Sequence, residues 1–122
     1  MTVGDVESCQ RGTGARFNDG KPAFDLVPLF VLKPALEVLD YGRRKYAAWN
    51  WCKGQPYSVV MASMLRHLSA FQEGEDIDPE SGLSHVGHIL CNALFLSFMW
   101  LRCRDMDDRP EQITEAYHSV RD

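Results

Sequence analysis

Apolar residues recur at helical spacing in three stretches of this 122-residue chain. The first stretch predicts a helix that begins at Pro28 or Pro34, because proline is tolerated in the first turn, and that ends near Ala48. Its apolar face would carry Leu32, Ala35, Leu36, Leu39 and Tyr46. A charged stripe runs beside this face, as on a solvated helix surface with ion pairs along it. The stripe consists of Lys33, Glu37, Asp40 and Arg44.

The other two stretches predict longer helices joined by a polar hinge. The second helix should run from Tyr57 or Ser58 to about Glu73, and the third from about Ser81 to Arg104. The sequence between them, GEDIDPESG, contains helix-breaking glycine and proline and acidic residues that can start a new helix. With no repeat and no convincing strand, the pattern indicates an all-α bundle of three main helices.

Segments at both ends complete the expected organisation. Residues 1–13 are polar and glycine-rich and predict a flexible N-terminus. An extended N-terminal arm would open a helical domain that covers residues 14–104. The charged tail 105–122 could form a short C-terminal helix on Ile113, Ala116, Tyr117 and Val120. Three large apolar faces on so short a chain further predict a homo-oligomer.

Composition narrows the class of protein. Hydrophobic residues make up 45% of the chain and charged residues 25%, as in a globular domain with one core. A net charge of −4 disfavours binding to duplex nucleic acid. The four cysteines form no CxxC pair, which favours free thiols in a reducing cytoplasm. We expect no signal peptide and no membrane span, since the apolar run 89–101 is too short for a bilayer.

The segment from Met64 to Asn92 concentrates the titratable groups. His85 and His88 are three residues apart and Asn92 follows four later, so all three share one stripe of the third helix. A lone histidine on such a helix is more often a hydrogen-bonded core residue than a ligand. Two histidines on one stripe, with His67 on the facing helix and carboxylates nearby, would suit Zn, Mn, Fe or Ni, whereas Mg prefers oxygen ligands alone. HxxH by itself is a weak motif, and the alternative of core histidines stays open.

Carboxylates occur in two places that could face a cleft. Glu75 and Asp78 lie in the hinge, where the alternative is an exposed acidic turn at a helix N-terminus. Glu37 and Asp40 lie three residues apart on the first helix and could present oxygen ligands to a divalent ion. The alternative for the second pair is the solvated stripe described above.

A third group of candidates mixes basic and aromatic residues. The sequence GRRKYAAWNWCKG, residues 42–54, contains Lys45, Trp49, Asn50 and Trp51. Cations can bind phosphates and aromatic rings can stack on bases, although the same composition suits a helix end packed under a loop. Lys21, in the arm, would contact phosphate or belong to a segment that only covers the core. Arg66 could bind phosphate oxygens in pairs.

Taken together, these motifs resemble a known family. The chain contains GKPxxDLxP, KYxxxNW and RHLxAxxxGEDxDxESGLxHxxHxxxNxxFL. Over roughly residues 14–98, the series resembles the phage proteins grouped with the N-terminal domain of dATP/dGTP diphosphohydrolases. The resemblance implies an all-α, phage-encoded protein of the host cytoplasm. It further implies release of pyrophosphate from purine deoxynucleoside triphosphates with the help of a divalent metal.

The resulting hypothesis gives each candidate residue a role. One or more divalent ions, Mg or Mn with Zn as an alternative, would be held by some of Glu37, His67, Glu75, Asp78, His85 and His88. Glu37, His67 and Glu75 would act in catalysis by activating water. Lys21, Lys45 and Arg66 would balance phosphate charge. Trp49 or Trp51 would stack on the base, and Asn50 or Asn92 would hydrogen-bond to it.

Other functions use the same residues. A non-catalytic phage protein that sequesters a host signalling nucleotide would use the basic and aromatic groups without a metal. A zinc-dependent hydrolase would be built on His67, His85 and His88. A structural assembly protein would need none of these chemistries.

Overall fold

The structure, a computed structural model, describes residues 19–110, and within them it is all-α. Helix α1 spans Lys33–Lys45, α2 spans Tyr57–Gln72 and α3 spans His85–Arg102. Residues 19–110 contain no strand, only an isolated antiparallel bridge between Ile77 and Ser84. The predicted three-helix, all-α class is confirmed. The expected flexible segment 1–13 and the short C-terminal helix lie outside the described residues.

The first helix is shorter than its sequence pattern predicts. It ends at Lys45 rather than near Ala48, and the chain then forms a short 3-10 turn over Asn50–Lys53. Ala47 and Ala48 are good helix formers, so local preference does not explain the early end. Instead, the ring of Trp51 packs on α3, and this tertiary contact requires the chain to turn before it.

The third helix begins four residues later than Ser81. Ser84 is its N-cap, and its side-chain oxygen accepts a hydrogen bond from the backbone N–H of Gly87 at 2.9 Å. Ser81 lies before the helix, in a turn closed by the carboxylate of Asp78. The sequence offers two serines, and only Ser84 provides the oxygen at the right distance from the helix.

Helix α3 is the centre of the bundle and packs against both other helices. Between α2 and α3, Tyr57, Val60 and Met99 form a buried cluster. Between α1 and α3, the contact is so close that a Cβ added to Gly87 would lie 2.5 Å from the carbonyl oxygen of Pro34. Only glycine fits there, and the contact places the first turn of α1 beside the first turn of α3.

The described part of the arm, residues 19–32, carries an exposed apolar surface. It consists of two 3-10 turns, Phe24–Leu26 and Leu29–Leu32, rather than fully extended chain. The side chains of Phe24, Leu26, Leu29 and Phe30 are 77–82% exposed. Within one copy of the chain, these four side chains therefore cover little of the core.

Three of the four cysteines lie within residues 19–110. Cys52, Cys91 and Cys103 are free thiols. Burial raises the pKa of the Cys91 thiol to about 12, so that thiol is unreactive near neutral pH. Across residues 19–110, no helix has the length and apolar character needed to span a bilayer.

Candidate functional site

A cavity of about 630 Å³ lies between the three helices, the Trp51 turn and the loop that joins α2 to α3. We call residues 73–84 the hinge loop. The cavity brings together most of the residues singled out in the sequence, from all of these elements. Those that line it are Lys45, Asn50, Trp51, Arg66, His67, Glu75, Asp78, His85, His88 and Asn92.

Three of the predicted site residues lie elsewhere. Glu37 is exposed on α1, because this helix presents Val38, Tyr41 and Lys45 to the cavity instead. Trp49 is 72% exposed and Lys21 is exposed in the arm, and neither lines the cavity.

The stripe on α1 has the solvated character expected of such a pattern. Asp40 forms ion pairs with both Arg43 and Arg44, and all three side chains are well exposed. Exposed pairs along a helix contribute at most a few tenths of a kcal/mol each. The structure therefore places the carboxylates of the cavity in the hinge loop and not on α1.

The first functional feature is a chain of hydrogen bonds from Glu75 through His85 to His67. Glu75 Oε1 lies 2.7 Å from His85 Nε2, and His85 Nδ1 lies 2.9 Å from His67 Nδ1. A carboxylate only accepts, so His85 Nε2 carries a proton and, in the neutral ring, Nδ1 accepts one from His67. His67 then keeps its lone pair on Nε2. His85 has no lone pair left for a metal ion.

The second feature is a parallel chain from Asp78 through Ser81 to His88. The hydroxyl of Ser81 donates to Asp78 Oδ2 at 2.8 Å, and its oxygen lies 2.7 Å from His88 Nε2. Because a hydroxyl has a single proton, His88 Nε2 must donate to Ser81. His88 then keeps its lone pair on Nδ1. Two histidines on facing helices are thus each oriented through a hinge-loop carboxylate.

The rings of these two histidines stack on each other. The centroids of His67 and His88 are 4.2 Å apart and their planes differ by 1°. Burial lowers the pKa of His67, and burial followed by the facing His67 lowers the pKa of His88. Both rings are therefore neutral at pH 7 and able to accept a proton.

The free nitrogens face accessible space. Neither His67 Nε2 nor His88 Nδ1 has a hydrogen-bond partner among residues 19–110, yet no side-chain nitrogen or oxygen there is both buried and unpaired. Each free nitrogen must therefore be reachable from the cavity that both residues line. A neutral imidazole with an accessible lone pair can act as a general base.

The hinge loop is fixed by its own backbone. The N–H of Asp78 donates to the carbonyl of Leu83 at 2.8 Å, and the N–H of His85 donates to Asp76 at 2.9 Å. Gly74 and Gly82 have φ angles of 101° and 74°, a region that residues with a side chain rarely adopt. These turns place Glu75 and Asp78 on the cavity side.

Asp78 is held as an anion. Burial opposes its charged form, but hydrogen bonds from Ser81 and from the backbone of Glu80 outweigh this effect. The pKa of Asp78 consequently lies below its ordinary value. At neutral pH the carboxylate is charged and lies 3.5 Å from His88 Nε2.

The opposite end of the cavity is aromatic. Trp51 stacks on Phe95 with ring centroids 5.1 Å apart, and it meets the edge of Phe98 at 5.0 Å. These contacts fix the indole as part of the cavity wall. Asn50, beside it, also lines the cavity, and no hydrogen bond from its side chain is seen within residues 19–110.

Between the two ends, Asn92 and Ser63 link α3 to α2. The amide nitrogen of Asn92 donates to the His88 carbonyl at 2.9 Å and to Ser63 Oγ at 3.3 Å. Ser63 and Ser81 were not among the sequence candidates. Ser63 lies four residues before His67 and Ser81 three residues after Asp78, so helical spacing and the Asp-x-x-Ser turn pattern could have indicated them.

The carboxylates of the cavity are the groups suited to a divalent ion. In the described part of the chain, no three His, Cys, Asp or Glu side chains form a preassembled site. Mg²⁺ commonly binds through one or two carboxylates together with substrate phosphates. Among residues 19–110, Glu75 uses one oxygen for His85 and no group bonds to its other oxygen, and Asp78 lies on the same side of the cavity. The arrangement fits an ion shared with a substrate.

Two comparisons with known proteins find similarity to dATP/dGTP diphosphohydrolases. The family model described as dATP/dGTP diphosphohydrolase, N-terminal, matches residues 11–109. The chain is also similar to a dATP/dGTP diphosphohydrolase of Salmonella phage PMBT28, with 28% identity over 97 residues. That match covers 80% of this chain and 33% of the relative, so the chain spans about one third of the relative's length. No solved structure matches the chain significantly.

Proposed function

Because the chain belongs to the dATP/dGTP diphosphohydrolase N-terminal family, we propose that it hydrolyses purine deoxynucleoside triphosphates to the monophosphate and pyrophosphate. The observation that carries this proposal is the stacked pair of His67 and His88, neutral at pH 7 and each with an accessible lone pair. The cavity volume lies within the usual range for small-molecule sites.

The distribution of groups suggests how a nucleotide would lie. Arg66 adjoins His67 and can bind phosphate oxygens at the histidine end of the cavity. Trp51 and Asn50 supply a flat wall and hydrogen-bonding groups at the other end, where a base would fit. Lys45, on the last turn of α1, adds a second cation to the lining.

His67 is the base that the hydrogen-bond chain favours. A water oxygen attacks the α-phosphorus while the bond from that phosphorus to the β-phosphate oxygen breaks, and Nε2 of His67 takes the water's proton. The new positive charge is stabilised through His85 by the carboxylate of Glu75. Pyrophosphate leaves, and the proton passes from His67 to solvent. His88, stacked on His67, stays neutral and fixes the ring plane.

We further propose that the substrate binds with a divalent ion, Mg²⁺ or Mn²⁺. Three carboxylates, those of Glu75, Asp78 and Glu80, line the histidine end of the cavity and would repel a free triphosphate. The ion would neutralise phosphate charge and polarise the reacting phosphorus–oxygen bonds. Glu75 and Asp78 are the groups that would hold it together with phosphate oxygens.

One experiment tests the proposed reaction. The full chain is incubated with dATP, dGTP and pyrimidine deoxynucleotides in Mg²⁺, Mn²⁺ or a chelator, and products are separated by ion exchange. We expect monophosphate and pyrophosphate from a purine substrate, with loss of both in the chelator. The His67→Gln variant should lose activity in parallel.

Two results would contradict the proposal. Intact dATP and dGTP after prolonged incubation, bound with an affinity that a chelator does not change, would identify a nucleotide-sequestering protein instead. Inorganic phosphate as the first product would show cleavage of the terminal bond rather than the one between the α- and β-phosphates.

A further inference from the structure

Three pairs of residues line the cavity one after another along α2 and α3, and we call each pair a level. His67 and His88 form the first level. Ser63 and Asn92 form the second, four residues away on each helix, which is about 6 Å along a helix axis. Phe95 and Trp51, whose rings stack on each other, form the third level, and Phe95 lies about 10 Å from His88 along α3.

The amide of Asn92 has a defined orientation. Its Nδ2 lies 2.9 Å from the His88 carbonyl oxygen, which can only accept, so this atom must be the NH₂ group. The second hydrogen of that group points to Ser63 Oγ at 3.3 Å. The remaining atom, Oδ1, is an acceptor with a fixed direction.

That acceptor has no donor in the described part of the chain. Asn92 is only 9% exposed, yet no side-chain oxygen or nitrogen of residues 19–110 is both buried and unpaired, so Oδ1 retains access to the cavity that the residue lines. An acceptor in such a position costs free energy unless a ligand or water supplies a donor. The hydroxyl proton of Ser63 is likewise available beside it, because within residues 19–110 the Ser63 hydroxyl bonds only to Asn92, as an acceptor.

We infer that Asn92 Oδ1 and the Ser63 hydroxyl recognise the 3′-hydroxyl of the nucleotide sugar. This inference rests on the proposed function, in which phosphates occupy the histidine level and the base occupies the Trp51 level. The sugar then lies at the level between them. A deoxyribose has one hydrogen-bond donor, its 3′-hydroxyl, which can donate to Asn92 and accept from Ser63.

The inference defines the substrate class. The site takes a free mononucleotide whose 3′-hydroxyl is unsubstituted. It discriminates against 3′-phosphorylated nucleotides, residues within a polynucleotide and dideoxynucleotides. It does not by itself distinguish ribose from deoxyribose, since both sugars carry the 3′-hydroxyl.

The test compares binding of two ligands that the protein cannot cleave. The full chain is titrated calorimetrically, in Mg²⁺, with the α,β-methylene analogues of dATP and of 2′,3′-dideoxyadenosine triphosphate. We expect the deoxy analogue to bind about tenfold more tightly, because the dideoxy sugar leaves the Asn92 acceptor unpaired. Hydrolysis of dATP and dGTP is measured separately on the same protein.

Matched variants assign the effect to one residue. Asn92→Ala should bring the deoxy-to-dideoxy affinity ratio close to one. Asn50→Ala changes another asparagine of the cavity wall and should weaken both ligands while the ratio is kept. Circular dichroism establishes that both variants are folded, and the ligand comparison on the unmodified chain requires no variant.

Each outcome bears on a defined claim. Equal affinity of the unmodified chain for both analogues would overturn the sugar contact, even with hydrolysis intact. A tenfold ratio without hydrolysis of any triphosphate would support the contact and contradict the proposed reaction. Absence of binding by either analogue would overturn the sugar contact, and absence of hydrolysis as well would contradict the proposed reaction. The titration is repeated with a pair of deoxy and dideoxy analogues whose purine lacks the amino group. If the deoxy-to-dideoxy affinity ratio is lost in that pair, the Asn92 acceptor binds the base amino group, and the sugar contact is overturned.

Discussion

The imidazole rings of His67 and His88 lie parallel, with centroids 4.2 Å apart, although they come from different helices. Two cationic rings at this separation would repel each other in a partly desolvated site. The pair therefore accommodates one proton at a time. A water-activating base needs such behaviour, because it must be neutral before reaction and must accept a proton during it.

Removing the base or its carboxylate should affect turnover to different extents. His67→Gln removes the accepting nitrogen and should lower kcat about 100-fold or more. Glu75→Gln retains an oxygen for His85 but removes the negative charge, so we expect a smaller loss of about tenfold. Steady-state kinetics with saturating divalent ion measure both.

Glu73→Gln is the matched control for the carboxylate. Glu73 is exposed at the end of α2 and does not line the cavity, so its kcat should equal that of the unmodified chain. An equal loss in the Glu73 and Glu75 variants would show that the charge of the loop, and not the hydrogen-bond chain, is responsible.

The acid side of the pH–rate profile should report the histidine pair. Burial is the largest effect on both rings and lowers each pKa below 6.5. The base is then neutral at pH 7, and kcat/KM should decline only as pH falls below about 6.5. Around the pair, Asp78 and Glu80 raise the pKa of His67, whereas His85 and Arg66 lower it.

A variant separates this titration from that of the substrate. Asp78→Asn removes a negative charge that raises both histidine pKa values, so the acid limb should move to lower pH. The change is measured as the shift of the half-maximal point of kcat/KM. An acid limb that moves to higher pH would contradict the assignment to His67 and His88.

The contact between α1 and α3 should tolerate no side chain. Gly87→Ala places a methyl group 2.5 Å from the Pro34 carbonyl oxygen and should lower the free energy of unfolding by about 1–3 kcal/mol. Gly42→Ala, within α1, meets no atom of residues 19–110 within 4 Å and should raise this free energy by about 0.5–1 kcal/mol. Urea unfolding followed by circular dichroism measures both. Equal effects of the two substitutions would contradict the close approach.

The exposed arm predicts association of copies of the chain. Leu29 and Phe30 are each 77% exposed, and burial of such apolar surface drives protein association. Leu29→Lys with Phe30→Lys should convert an oligomer to a monomer, as measured by light scattering. Leu101→Lys, on an exposed residue at the far end of α3, serves as the control and should leave the oligomer intact. A monomeric unmodified chain at micromolar concentration would contradict this prediction.

Much of the fold follows from local pattern, because α2 and α3 have continuous apolar faces and distinct breakers between them. The end of α1 did not follow, since Ala47 and Ala48 favour helix while Trp51 must reach Phe95. That contact joins residues distant in sequence, and no local preference encodes it.

The candidate site could be predicted where the spacing of residues along a helix determines which way their side chains point. His85, His88 and Asn92 lie at helical intervals and all line the cavity. Glu37 also has suitable chemistry and spacing, but the rotation of α1 about its own axis is set by its packing on α3 near Gly87. The spacing of residues in one sequence does not determine that rotation, so the prediction placed both Glu37 and Lys45 at the site, although only Lys45 of the two lines the cavity.

In the hinge loop, different groups fix the path of the chain and shape the cavity. Its backbone hydrogen bonds and two glycines fix the path of the chain, while the side chain of Glu80 is exposed on the wall of the cavity and contributes little to that path. Substitutions of Glu80 can therefore reshape the cavity wall without displacing Glu75 or Asp78. Selection or design could vary substrate preference on this loop while the proton-accepting groups stay in place.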